Sequence, residues 1–222
     1  MGCLAVVASR PQVKLCGMTR PEDAALGVAA GASFLGVIFA GGPRQVTIDQ
    51  ARAVRQAAAD VPVFGVYGDQ SVEEILRLTR TAGLRGAQLH GDYVAADAAR
   101  LRAEGLTVWR VVRLGSAADL DQVSGAGEAA DAVLVEPRVA GREGGAGVAL
   151  DRILALAARG RRSRQRMVLA GGLTPATVGA AVALVGPDVV DVSSGVECLP
   201  GIKDPEKIAQ FVEAVRGHSA IS

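Results

Sequence analysis

Short aliphatic runs alternate with longer stretches rich in Ala, Leu, Arg and Glu at helical spacing, and this alternation constrains the chain more than any single motif. A continuous aliphatic run suits a strand buried on both faces, and a helix between two such runs forces them parallel. The strands predicted this way are Val13 to Cys16, Phe34 to Phe39, Val63 to Tyr67, Gly86 to Leu89, Thr107 to Val112, Ala132 to Val135, Met167 to Ala170 and Val189 to Val192. Eight strand and helix pairs in 222 residues fit a closed barrel better than an open doubly wound sheet, which uses fewer strands around a visible switch point. The expected fold is α/β: a single (β/α)8 TIM barrel spanning 1–222 as one domain, with its core at about 13–216. Half of the residues are hydrophobic and only 3% aromatic, so that core is built from aliphatic side chains.

Local signals agree with the pattern. Thr19-Arg20-Pro21-Glu22 offers a helix cap followed by an early proline, Thr174-Pro175 repeats the device, and Thr47 and Ser71 are further caps. Acidic residues at Glu73 and Glu74 stand in a first helical turn, where they complement the dipole. Glycine-rich stretches at Gly41-Gly42-Pro43 and at Gly141 to Gly147 follow strands two and six, which makes them loops on the carboxyl face.

Charge excludes several function classes. With 24 basic and 23 acidic residues spread along the chain, there is no footprint for a nucleic acid. The densest basic run, Arg159 to Arg166, reads as a solvated helix end. Cys3, Cys16 and Cys198 have neither disulfide-framework nor metal-ligand spacing, so a cytoplasmic chain without a metal is expected. Met1 to Arg10 lacks a basic leader, and no stretch approaches the ~18 apolar residues of a membrane span.

In such barrels chemistry gathers where strands end in βα loops. Cys16 stands at the mouth after strand one, before a helix whose amino end could lower its pKa; it reads either as a base or as a small buried hydrophobe. Gly172 in loop seven and Ser194 and Gly195 in loop eight suit a phosphate site built from backbone N–H groups, or else tight turns. Glu136 and Asp191 end strands six and eight and are either functional carboxylates or loop caps, whereas Asp131 begins strand six on the opposite, stabilising face. Arg44 could hold a carboxylate in bidentate fashion, and His90 follows strand four as a pocket-lining or structural residue.

Four segments in order carry a resemblance: Lys14-Leu15-Cys16-Gly17-Met18-Thr19, Gln88-Leu89-His90-Gly91, Ala170-Gly171-Gly172-Leu173-Thr174-Pro175, and Asp191-Val192-Ser193-Ser194-Gly195-Val196-Glu197. With the continuation Pro200-Gly201-Ile202-Lys203-Asp204, they resemble phosphoribosylanthranilate isomerases of tryptophan biosynthesis from about Val13 to Arg216. The resemblance implies an Amadori rearrangement of a small phosphoribosyl substrate, without a cofactor, by a monomer or homodimer. It makes Cys16 the general base, gives Arg44 the anthranilate carboxylate and Asp191 the substrate beside the anthranilate nitrogen, and assigns the phosphate to Gly172, Ser194 and Gly195. His90 joins the substrate-binding set. Where the family ends strand six with Leu-Leu-Asp, Leu134-Val135-Glu136 stands here, so glutamate takes the acid's position. The following Gly144-Gly145-Ala146-Gly147-Val148-Ala149 also departs from the family's usual loop. Two alternatives remain: an isomerase of an aminoimidazole nucleotide in histidine biosynthesis, whose paired aspartates would put one at position 16, and a non-catalytic phosphometabolite-binding barrel.

Overall fold

A computed structural model describes residues 10–139, 149–162 and 164–217. The glycine-rich run at 141–147, all but the last residue of the 144–149 segment, and Cys3 lie outside the described residues. Eight parallel strands close into a barrel in chain order: β1 (Gln12–Leu15), β2 (Phe34–Ile38), β3 (Val63–Tyr67), β4 (Gly86–Leu89), β5 (Thr107–Leu114), β6 (Ala132–Pro137), β7 (Arg166–Leu169) and β8 (Val189–Val192). Pairing of β1 with β8, Lys14 opposite Asp191, closes the circle. Around it lie α1 (Pro21–Ala30), α2 (Ile48–Ala57), α3 (Val72–Ala82), α4 (Ala95–Ala103), α5 (Asp121–Gly127), α6 (Arg152–Arg161), α7 (Pro175–Val185) and α8 (Pro205–Arg216). A hairpin not expected from the sequence, β9 (Glu197–Leu199) with β10 (Ile202–Lys203), intervenes between β8 and α8.

Successive strand residues face opposite sides, and the core divides accordingly. Outward residues such as Leu15, Leu35 and Val190 join the helices in one large cluster; α1 approaches so closely at Gly27 that a Cβ there would lie 3.1 Å from both Leu15 and Leu35. Inward residues Phe64, Trp109, Leu134, Val168 and Val189 form a second cluster inside the barrel. There the single tryptophan packs 4.5 Å from Phe64 and 5.1 Å from Phe34, ring centre to ring centre. A close-packed aromatic plug leaves the upper layer of the barrel as the place where polar side chains can converge.

Three local expectations are corrected. Thr19 does not cap α1: its hydroxyl donates to the Gly201 carbonyl at 2.5 Å, tying the first loop to the hairpin, and Arg20 occupies the cap position. Thr47 and Ser71 do cap α2 and α3, whereas at α7 Thr177 reaches back to the Thr174 N–H. The basic run is only in part a helix end, because Arg162 pairs with Asp188 and Arg166 starts β7 with its guanidinium over the Phe34 ring. Glu136 and Asp191 each stand one residue inside their strands instead of at the ends. Asp131 accepts from the Val108 N–H at 2.8 Å, a stabilising contact at the amino end of β6. No helix among the described residues is long and apolar enough to cross a membrane.

Candidate active site

The barrel mouth opens into one cavity that gathers every residue singled out from the sequence. Cys16, Arg44 and Asp191 line the arc formed by β8, β1 and β2, His90 and Glu136 line the arc from β4 to β6, and Gly172, Ser194 and Gly195 lie at the loops after β7 and β8.

On the first arc Lys14 and Cys16 are two residues apart, so both turn inward. Lys14 is fully buried; its ammonium donates to Asp191 Oδ2 and to Gln88 Oε1, each at 2.8 Å, and lies 5.7 Å above the Trp109 ring centre. Gly36 makes room for this pair, since a Cβ there would sit 2.8 Å from Cys16 Sγ and 3.2 Å from Lys14 Nζ. Gly17, at φ +73°, turns the chain out of β1 where any Cβ would meet Ser193 Oγ at 2.7 Å and Arg44 Cδ at 2.8 Å. Arg44 is thereby laid across the loop, and its Nε and Nη2 grip Glu197 at 2.8 and 2.7 Å. Glu197 also accepts from Lys203 at 2.9 Å, and Lys203 reaches on to the Cys16 carbonyl at 2.6 Å and the Ser193 carbonyl at 3.1 Å. The β9–β10 hairpin is thus a brace: register puts Lys203 opposite Glu197, and the pair fixes both Arg44 and the end of β1.

On the second arc β5 and β6 pair with Arg113 opposite Glu136. Arg113 donates through Nε to Glu136 Oε1 at 3.2 Å and through Nη2 to the His90 carbonyl at 2.9 Å. His90 Nε2 stands 3.1 Å from the same carboxylate oxygen without the alignment of a hydrogen bond.

Electrostatics oppose one sequence expectation. Burial pushes the Cys16 thiol above the ordinary cysteine range, and Lys14 beside it offsets only part of that rise. The anticipated help from a helix amino end does not arise, because α1 begins only at Pro21. For Lys14 burial works against the charge, but Asp191 and Cys16 outweigh it and raise the pKa. Burial also works against an ionised Glu136, yet His90 and Arg113 prevail and hold it below the usual carboxylate range. Glu197 is lowered too, where Arg44 and Lys203 overcome burial.

Loops seven and eight touch: a Cβ on Gly195 would fall 1.9 Å from the Leu173 carbonyl oxygen, so only glycine lets the backbones meet there. Gly171 and Gly172 have φ of +92° and +62° and, among the described residues, no backbone partner for their N–H groups. Ser194 and Gly195 lead a single helical turn, Ser194–Val196, whose first N–H groups cannot be satisfied within it. Such a paired cradle of backbone donors suits an oxyanion.

Lys14, Gln88, Arg113, Glu197 and Lys203 were not singled out from the sequence. Four of them carry a legible signal: Lys14 precedes Cys16 by two, Gln88 precedes His90 by two, and Glu197 and Lys203 lie in quoted segments. Strand period two would have placed the first pair inward.

Among the described residues, the buried side-chain polar atoms without a hydrogen-bond partner are His90 Nδ1 and Nε2, Asp191 Oδ1 and Ser193 Oγ, all from residues lining this one cavity. Unmet buried polar atoms are expensive, and their concentration points to a polar ligand. Residues 13–214 match the family model described as N-(5'-phosphoribosyl)anthranilate (PRA) isomerase. A protein of that name from Rubrobacter xylanophilus is 38% identical over 207 residues, covering 92% of this chain and 98% of its own, and one from Pseudomonas fluorescens is 40% identical over 205 residues, covering 91% and 94%. Phosphoribosyl anthranilate isomerase from Thermotoga maritima superposes with a TM-score of 0.84 at 31% identity, covering 93% of this chain and 99% of that one. A further isomerase structure, in complex with reduced 1-(o-carboxyphenylamino)-1-deoxyribulose 5-phosphate, superposes at a TM-score of 0.79 with 31% identity and coverage of 93% and 99%. By sequence over nearly its whole length, and by fold, the chain belongs to the N-(5'-phosphoribosyl)anthranilate isomerase family.

Proposed function

We propose that this chain converts N-(5'-phosphoribosyl)anthranilate into 1-(2-carboxyphenylamino)-1-deoxyribulose 5-phosphate by an Amadori rearrangement in tryptophan biosynthesis, working in the cytoplasm as a monomer or homodimer. The observation that carries this reading is the one cavity where a buried thiol, a buried carboxyl and the orphaned polar atoms of His90, Asp191 and Ser193 meet, in a chain of this family.

Glu136, as acid, protonates the furanose ring oxygen; the anilino nitrogen pushes the ring open and a protonated Schiff base forms. The Cys16 thiolate then takes the proton from sugar C2, and its bonding pair moves to give an enolamine. Tautomerisation moves the enol proton out and a proton onto C1, which leaves the ketone. Arg44 holds the anthranilate carboxylate through the Nη1 side that Glu197 leaves open, Asp191 Oδ1 accepts from the anilino nitrogen, and His90 contacts the sugar beside Glu136. Gly172, Ser194 and Gly195 hold the phosphate.

Before substrate enters, the shifts favour a protonated Cys16 and an ionised Glu136, so the working pair carries the same proton one place over. An anionic substrate beside Glu136 raises the proton affinity of its carboxyl. The test is loss of anthranilate fluorescence with freshly generated phosphoribosylanthranilate. Turnover by the native chain that collapses in Glu136→Gln is expected. No turnover by the native chain, with recovery in Glu136→Asp, would overturn the reading of Glu136 as a working acid.

A further inference from the structure

Lys14 is a fully buried ammonium whose partners Gln88 and Asp191 line the cavity, and no step above uses it. Its two partners are Asp191 and Gln88, and it shares with Cys16 the space that Gly36 leaves by lacking a side chain. The charged groups around the Cys16 sulphur come from four elements. Lys14 lies on β1 and Asp191 on β8, Lys203 closes the β9–β10 hairpin, and Arg44 crosses from the loop after β2. Glu197 neutralises one of the latter two cations by gripping both. Three cations then face two carboxylates, so the buried set is one positive charge in excess as long as Cys16 keeps its proton. A thiolate balances it, and burial makes an unbalanced charge costly.

We propose that Lys14 is a positioning residue for proton abstraction: its ammonium is the shared counter-charge of the Cys16 sulphur and the Asp191 carboxylate, so that engaging Asp191 elsewhere hands Lys14 to the thiolate. This deepens the reading of Cys16 as the base and rests on it. In that reading the anilino N–H binds Asp191, weakens its hold on Lys14, and so couples arrival of the substrate to ionisation of the base. The burial that raises Cys16 also makes it a stronger base once ionised, which suits abstraction from carbon.

The test needs no substrate. Alkylation by iodoacetamide reports the thiolate and is followed across pH on the Cys16-bearing peptide by mass, in the full chain. Lys14→Gln removes the counter-charge: the Cys16 rate at pH 8 should fall by about tenfold or more, with the midpoint moved to higher pH. Asp191→Asn removes the competing carboxylate: the rate should rise and the midpoint move down. Unchanged alkylation in Lys14→Gln, or slowing in both variants, overturns the proposal, because a merely structural Lys14 would not give opposite signs. Should Lys14→Gln fail to fold, Asp191→Asn decides alone, and absence of acceleration overturns it. Since neither readout involves turnover, a wrong assignment of the reaction would appear as lost isomerase activity with both alkylation shifts intact.

Discussion

The two arcs of the barrel mouth hold their ionisable groups in opposite ways. On the β8–β1–β2 side the buried thiol of Cys16 is surrounded by paired charges, Lys14 with Asp191 and Glu197 with Arg44 and Lys203, and still sits above its ordinary pKa because burial is the largest influence on it. On the β4–β6 side a single carboxylate stands beside Arg113 and His90, and these neighbours overcome burial to hold it below the usual carboxylate range. Nearly equal burial thus gives one group that holds its proton and one that sheds it. Desolvation disfavours the charged form of either group, so neighbours decide the outcome. Under the proposed reading of Cys16 as base and Glu136 as acid, these directions are opposite to the reacting state, and ligand binding has to reverse them.

The largest expected break of this contrast is Cys16→Ala. Removing the proposed base on the first arc should lower kcat by about 100- to 10,000-fold, the usual range for a positioned proton-transfer group. The loops proposed to hold the phosphate lie after β7 and β8 and would hold it through backbone N–H groups, so binding of product, followed by titration of the variant, should change little. A variant that keeps turnover removes Cys16 from the mechanism.

What the sequence made legible, and what it did not, follows the same division. β3, β4 and β8 stand where the aliphatic runs placed them, because those runs end in turn-forming residues. β5 and β6 each run two residues beyond the expected Val112 and Val135, and the added residues include Arg113 and Glu136. A charged residue interrupts an aliphatic run and looks like a strand end. In a barrel mouth it is the inward residue of a continuing strand, so the rule fails at the residues that carry chemistry. The brace was hidden for a different reason. Glu197 and Lys203 are six positions apart, and only the tight β9–β10 pairing makes them neighbours of Arg44. The candidate residues Cys16, Arg44, His90, Glu136 and Asp191 were accessible because they stand at or beyond the carboxyl ends of strands, which is where barrel topology concentrates function.

Smaller effects should separate the brace from the base. Glu197→Gln leaves the Cys16 sulphur untouched but halves the grip on Arg44 and strands Lys203 without a carboxylate. If Arg44 binds the anthranilate carboxylate, KM should rise about tenfold, the ~1.4 kcal/mol that loosening one charged contact can cost, with kcat reduced less. Steady-state kinetics decide: a fall in kcat with unchanged KM would place the brace's effect on Cys16, through its carbonyl bond to Lys203, instead of on Arg44.

The smallest effect belongs to the second arc and is seen in stability. Glu136 has a depressed pKa in the folded chain, so it contributes stability that is present above its unfolded value of about 4.3 and lost as pH falls through the folded value. Arg113→Gln removes the guanidinium that helps hold the carboxyl down and lets burial pull it upward. The variant should therefore be less stable at neutral pH by about 1 kcal/mol, a modest amount because Arg113 is about a quarter exposed, with 23% of its side chain open to solvent. The deficit should shrink as pH falls through the depressed folded value, where Glu136 takes up its proton in the native chain as well and the lost pairing ceases to matter. Urea unfolding at a series of pH values measures it. A deficit that stays constant down to low pH would mean that Arg113 acts through its bond to the His90 carbonyl instead of through the charge of Glu136.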